Sequence, residues 1–185
     1  PGTNVLGHGQ KVVIPSRALN ELQRLLASGE EASLCLAGDR ATFTVGQATL
    51  STSLLQIEFP NYRQLIQPNY PNSLTTAREP LLEAIRRCRI LARETTPVRL
   101  EMTATSLKLI VVTQDVGNTV EELDATMVGS DITVGFNPEY LAAGIEAVSG
   151  DEITIQTTDP IKPAVLRGVG APDYLYLVMP QRLTN

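Results

Sequence analysis

Three times along the chain the same order of elements is written: a short apolar strand, a cap, an amphipathic helix and two alternating strands. The first copy reads "KVVIPSRALNELQRLLASGEEASLCLAGDRATFTV" and the last "DITVGFNPEYLAAGIEAVSGDEITIQTTDPIKPAVLRG". Between them, "SLTTAREPLLEAIRRCRILARETTPVRLEMTATSLKLIVVTQ" repeats the order with a looser cap. The helices begin near Pro15, Glu79 and Pro138, roughly 60 residues apart, and a recurring supersecondary unit of this kind limits the chain to a duplicated architecture.

Local chemistry supports each unit. Asn137 is able to accept a hydrogen bond from the free amides of a first helical turn, Pro138 loses no bond at the first helical position, and Gly150 permits a left-handed stop. Val98, Leu100 and Met102 alternate with Arg99, Glu101 and Thr103, and Ile153 and Ile155 with Thr154 and Gln156, the period of half-buried strands. Short strand-to-strand links favour antiparallel pairing. The expected class is α+β, built from repeated strand–helix–strand–strand units with helices on one face of antiparallel sheets.

Three copies do not pair off. If two units make one domain, the second and third form a complete domain over 67–185, and 1–66 holds half of another. The opening "PGTNVLGHGQ" has the look of a loop interior, and we expect residues 1–10 to be irregular and the chain to be a fragment.

Composition narrows the function. A net charge of −5 over 185 residues argues against coating nucleic acid through global basicity, though not against a local basic stripe. Aromatics are 4% and Trp is absent, so a base-stacking or carbohydrate platform is disfavoured. Cys35 and Cys88 stand alone, with one histidine, His8. No metal site is expected, and two buried free thiols suit a reducing, cytoplasmic compartment. No apolar run approaches the roughly 20 residues of a membrane span.

Catalytic signals are missing. Neither a GxGxxG nor a GxxxxGK[ST] loop occurs in usable context, so no cofactor is expected. The carboxylate pairs Glu30–Glu31, Glu121–Glu122 and Asp151–Glu152 fall where solvated charge belongs. An enzyme is the weakest of the readings.

The helices present two features. On a helical wheel Leu81, Ile85 and Cys88 form the core line of the second helix, with Arg86, Arg87 and Arg89 opposite. Ile90 falls nearly opposite Leu81, with Leu91 on the flank. Either this pair makes a subunit contact or the helix ends at Arg89 and both turn back into the core. The first helix is expected to bury Leu19, Leu22, Leu25 and Leu26 and to leave Arg17, Asn20 and Arg24 outward. Such arginines either track phosphates as point contacts or form a solvated face.

"FPNYRQLI", at the junction of the expected domains, and the closing "DYLYLVMPQRLTN" share an apolar, proline-bearing and basic chemistry. The second reads as a strand through Val178 that Pro180 stops, leaving Met179, Pro180, Arg182 and Leu183 as a tail. The two stretches are either lips of one peptide groove or junction packing and a frayed end.

Taken together, "FPNYRQLI", "VRLEM", "GFNPEYL", "DPIKPAVLRG" and "YLYLVMPQRL", in this order, resemble the bacterial DNA sliding clamp, the β subunit of DNA polymerase III, across nearly the whole chain after Val12. The resemblance implies the DNA-clamp fold and a head-to-tail homodimeric ring that encircles duplex DNA without reading its sequence. It implies a polymerase processivity factor rather than an enzyme. It also implies a hydrophobic groove for peptides of polymerases, clamp loaders and repair proteins. On the matching positions the groove would use Pro60, Leu65, Pro163, Leu177, Met179, Pro180, Arg182 and Leu183. Arg17, Arg24 and Arg86 would face DNA, and Ile90 and Leu91 would lie at the ring interface.

There are departures. Gln64 stands where some members carry a basic residue, Gln181 interrupts the tail where an apolar residue is common, and Thr184–Asn185 extend past the usual end. The chain carries no counterpart of the family's first domain, so we expect a monomer or a dimer of exposed half-domain edges rather than a ring. A peptide-binding scaffold with no DNA role is the alternative.

Overall fold

The computed structural model describes residues 11–28, 31–92, 96–113 and 117–183. The expectations for residues 1–10 (His8 included), the Gly29 stop, Glu30 and the Thr184–Asn185 extension lie outside them. The chain divides into two compact units, Pro1–Asn61 and Tyr62–Asn185, so the division falls inside "FPNYRQLI".

The first unit holds α1 (Ser16–Leu25), a 3-10 turn (Leu26–Ser28) and an antiparallel sheet β1-β2-β3, with β1 at Ala32–Ala37, β2 at Arg40–Val45 and β3 at Ala48–Ser53. Three expectations are corrected here. "KVVI" forms no strand; the Leu55 N–H donates to the Val13 carbonyl at 2.8 Å. The leucines of α1 are not core either. Leu19 is 44% exposed, Leu26 is exposed, Leu22 and Leu25 are half-buried, and only Ala18 of the helix is buried. Within this unit α1 packs mainly on β3, which is too little surface to cover an apolar stripe. Cys35 is exposed for a related reason: β1 is an edge strand open on both faces except at Leu36.

The second unit is the two-repeat domain. Its first repeat is β4 (Asn72–Ala77), α2 (Arg78–Leu91), β5 (Val98–Met102), β6 (Ser106–Thr113) and β7 (Gly117–Val128). Its second is β8 (Ile132–Phe136), α3 (Pro138–Glu146), β9 (Glu152–Thr157), β10 (Ala164–Gly168) and β11 (Ala171–Val178). The strands form one antiparallel sheet in the order β11-β10-β9-β4-β7-β6-β5-β8. Helices α2 and α3 pack on each other, α2 against β4, β6 and β7 and α3 against β11.

Caps follow from sequence. Asn137 Oδ1 accepts from Glu139 N–H at 2.8 Å with Pro138 next to it. The Gly150 stop is corrected: α3 ends at Glu146 with Ala147 as a right-handed C-cap, and Gly150, at φ +100°, lies beyond it before β9. Helix α2 has no side-chain cap. Its first amide, at Arg78, donates to the Asp151 carbonyl, and Arg78 Nε donates to the Gly150 carbonyl. Leu81, Ile85 and Cys88 are fully buried, as are Val98, Leu100, Met102, Ile153 and Ile155.

The two repeats are joined alike but not equally. Strand β7 pairs with β6 as far as Asp124 and runs on to pair with β4 from Ala125 to Val128. The counterpart, β11, leaves β10 at Val178 and meets β8 through a single bridge, Gln181 to Gly135, with Gln181 N–H donating to the Gly135 carbonyl at 2.8 Å. Because β11 and β8 are the two ends of the sheet order, this one bridge closes the sheet on itself.

Candidate functional site

The closing tail is held at both ends and open in the middle. On one side, Ala164 pairs with Val178 and Val165 with Leu177, which sets Pro163 and Met179 at the next register position. Pro180 has no N–H, so the ladder stops there. On the other side Gln181 is bonded to Gly135, and Leu183 lies over that glycine: a Cβ there would meet Leu183 Cδ2 at 2.6 Å and the Gln181 carbonyl at 2.9 Å. Met179 is left 56% exposed between two fixed points. Leu177, Pro180 and Leu183 are half-buried and Arg182 is exposed.

Two neighbours of this surface escape a sequence reading. Gly135 is one; its signal is a glycine inside the strand pattern "ITVGF", which marks close approach of other groups to the backbone. Ile161 is the other, 70% exposed in the turn before Pro163. Asp159 shapes that turn by accepting from the Ile161 and Lys162 amides, both at 2.9 Å, and by pairing with Lys162 Nζ at 3.2 Å. The Ile161 amide above all, with Lys162, holds the Asp159 carboxyl below the usual carboxylate range.

The remaining groove candidates come from the junction. Leu65 closes the 3-10 turn Tyr62–Leu65 of the second unit and is exposed, as is Gln64. Pro60 belongs to the first unit and is exposed.

Arg86, Arg87 and Arg89 of α2 are outward and all three are paired. Arg86 bonds Glu83 at 2.9 Å and Glu146 of α3 at 3.0 Å, Arg89 bonds Glu139 of α3 at 2.7 Å, and Arg87 bonds Glu121 of β7 at 2.8 Å. The pairs Arg86–Glu146 and Arg89–Glu139 run in opposite chain directions, so charge stitches two antiparallel helices. Hydrogen bonds that Arg86 donates to Glu146 and Glu83 raise its pKa, and the Arg87 guanidinium lowers that of Glu121. On α1, Arg24 pairs with Glu21 at 3.2 Å. Arg17 is exposed beside Glu21 and the β3 residues Leu50, Ser51 and Thr52, which line a shallow cavity of about 230 Å³.

The α2 helix does not end at Arg89: it runs to Leu91, Ile90 is 83% exposed, and Leu91 is half-buried against the core. Ile90 is thus an apolar residue on an otherwise charged face.

Among the described residues no group of three or more His, Cys, Asp or Glu is placed to hold a metal ion. No described helix is long and apolar enough to cross a membrane.

Known proteins match this arrangement. A family model described as "DNA polymerase III beta subunit, C-terminal domain" matches residues 63–182. Curated relatives named beta sliding clamp include one from Synechococcus elongatus, 34% identical over 94% of this chain, and one from Streptomyces coelicolor, 31% identical over 94% of it. The chain spans about half the length of the curated relatives it matches, 48% and 49% for these two. Among solved structures, a Caulobacter crescentus beta sliding clamp superposes with a TM-score of 0.86 at 25% identity, covering 99% of this chain and 49% of that one. A Bartonella birtlesii DnaN sliding clamp bound to griselimycin gives 0.83 at 28% identity, covering 93% and 47%.

Proposed function

The chain belongs to the DNA polymerase III beta subunit family, the bacterial sliding clamps, and from that premise we propose that it contributes a peptide-binding surface and part of a DNA-encircling wall to a replication processivity factor. The role is accessory and not catalytic. Residues 67–185 act as the complete third domain and 1–66 as the second half of the middle one.

One observation carries the peptide reading: Met179 is exposed between a paired strand at Val178 and the bridge at Gln181. An exposed, flexible thioether on a rigid mount offers adaptable apolar contact at little ordering cost, which suits short apolar motifs. Pro163, Leu177, Pro180 and Leu183 extend the surface, Arg182 supplies charge, and Leu65 of the same unit adds to it. Partners in this reading are polymerase, clamp-loader and repair-protein peptides.

Arg17, Arg24 and Arg86 face duplex DNA in this reading. Their carboxylate partners keep the contact loose, as a ring that must slide requires. Ile90 and Leu91 make the ring contact.

The test is fluorescence anisotropy of a labelled, leucine-rich peptide with the chain and with Met179→Ala. Binding that weakens on Met179→Ala supports the groove. Binding indifferent to Met179, or none, leaves the tail as packing and removes the peptide role.

A further inference from the structure

One face of the second unit's sheet carries a stripe that neither the core nor the helices use. Strands β8, β5, β6 and β7 lie side by side, and their register sets Gly135, Arg99, Ile110 and Val120 in one row. Residues in register share a face. Glu121, next to Val120, turns the other way to pair with Arg87 of α2, so the row lies on the face away from the helices. Ile110 is half-buried and Val120 is 56% exposed. Val112, two residues beyond Ile110 and on the same face, is 65% exposed.

The row begins at the closing tail. Leu183 fills the space that a Cβ on Gly135 would take, which places that leucine on the same face, one strand from Arg99. The tail surface and the stripe are therefore continuous. Arg99 is the polar point within it. It is half-buried and, among the described residues, its side chain has no hydrogen bond or ion pair. The other charges nearby are spoken for: Arg86, Arg87 and Arg89 are each held by a glutamate, and Lys108 of the adjacent row pairs with Glu122 at 3.6 Å. A partly desolvated guanidinium between apolar side chains is complementary to a carboxylate carried between apolar residues.

We propose that this stripe is a second docking site for the partners of the tail surface. A segment flanking the groove peptide crosses from β8 to β7, setting an aspartate or glutamate on Arg99 and apolar side chains on Ile110, Val112 and Val120. The crossing is three strand spacings, roughly 14 Å, which about five residues of extended chain span. This rests on the peptide-groove reading and adds an acidic and apolar requirement outside the groove.

The experiment uses the 185-residue chain and three fluorescein-labelled peptides. One is the leucine-rich parent; the others extend it at the N- or the C-terminus by about five residues that carry one aspartate between leucines. One extended peptide is expected to bind roughly three- to tenfold more tightly than the parent, the range of a partly exposed ion pair. That gain should be largely lost when the aspartate becomes asparagine and in Arg99→Gln, and should fall in Val120→Asn, while the parent peptide binds all three proteins alike. The cycle between Arg99 and the aspartate isolates the pair. No gain from either extension, or an equal gain in the chain and in Arg99→Gln, overturns the inference while Met179-dependent binding of the parent stands. Arg99-dependent binding of an extended peptide with none of the parent overturns the groove reading and keeps this surface. Binding of no peptide overturns both.

Discussion

Leu183 Cδ2 lies 2.6 Å from the point that a Cβ on Gly135 would occupy, so the tail is seated on bare backbone. Gly135→Ala should unseat it. The expected loss is about 1–3 kcal/mol of stability, typical of overpacking. The tell-tale is amide exchange: Gln181 N–H should exchange faster while the β9–β10 amides keep their protection. Unchanged protection at Gln181 would show that the tail accommodates the methyl.

Ile90 and Leu91 should behave differently despite being adjacent. Ile90→Asp is expected to leave the melting temperature near that of the parent, since the side chain is 83% exposed. Leu91→Ala should cost about 1–2 kcal/mol, because Leu91 packs partly on the core.

Neutralising the partners of Arg86 should free its charge. The double variant Glu83→Gln, Glu146→Gln is expected to melt as the parent does, because both pairs are exposed at the surface. If Arg86 faces phosphate, duplex affinity at low salt should rise, and the slope of log affinity against log salt should steepen by about one. An unchanged slope would remove Arg86 from the DNA-facing set.

The two thiols should separate cleanly. Burial pushes the Cys88 pKa up to about 11, whereas Cys35 lies exposed on β1. At pH 8 only about one Cys88 in a thousand would be thiolate even if solvent reached it. One equivalent of a thiol reagent should react quickly and the second only on unfolding. Two fast equivalents would contradict the buried placement of Cys88.

Acid should act on the Arg87–Glu121 pair late. The Arg87 guanidinium depresses the Glu121 pKa in the folded state. The pair's contribution is therefore full above the ordinary glutamate value and is lost as pH falls through the lowered one. In an NMR titration the Glu121 carboxyl should titrate below its usual range and return toward it in Arg87→Gln.

What the sequence revealed depended on how local the cause was. The Asn137 cap and the core line Leu81–Ile85–Cys88 rest on neighbours a turn away, and both appear as expected; Gly150 takes its positive φ, but beyond a helix that has already ended. The same wheel logic failed for Leu19 and Leu26, because an amphipathic pattern says which face is apolar and not what stands opposite it. Cys35 misled for that reason too. Met179 and Pro180 were legible as a strand end. Their frame was not: the bridge to Gly135 joins distant parts of the chain, and no local rule links a glycine in β8 to a leucine past β11.

The unequal joints between repeats have one more consequence. The β7–β4 joint is a ladder of four paired residues, whereas the joint at Gln181 is an isolated bridge. The closed sheet can therefore part there at least cost, one bridge giving way while every named strand keeps its partners.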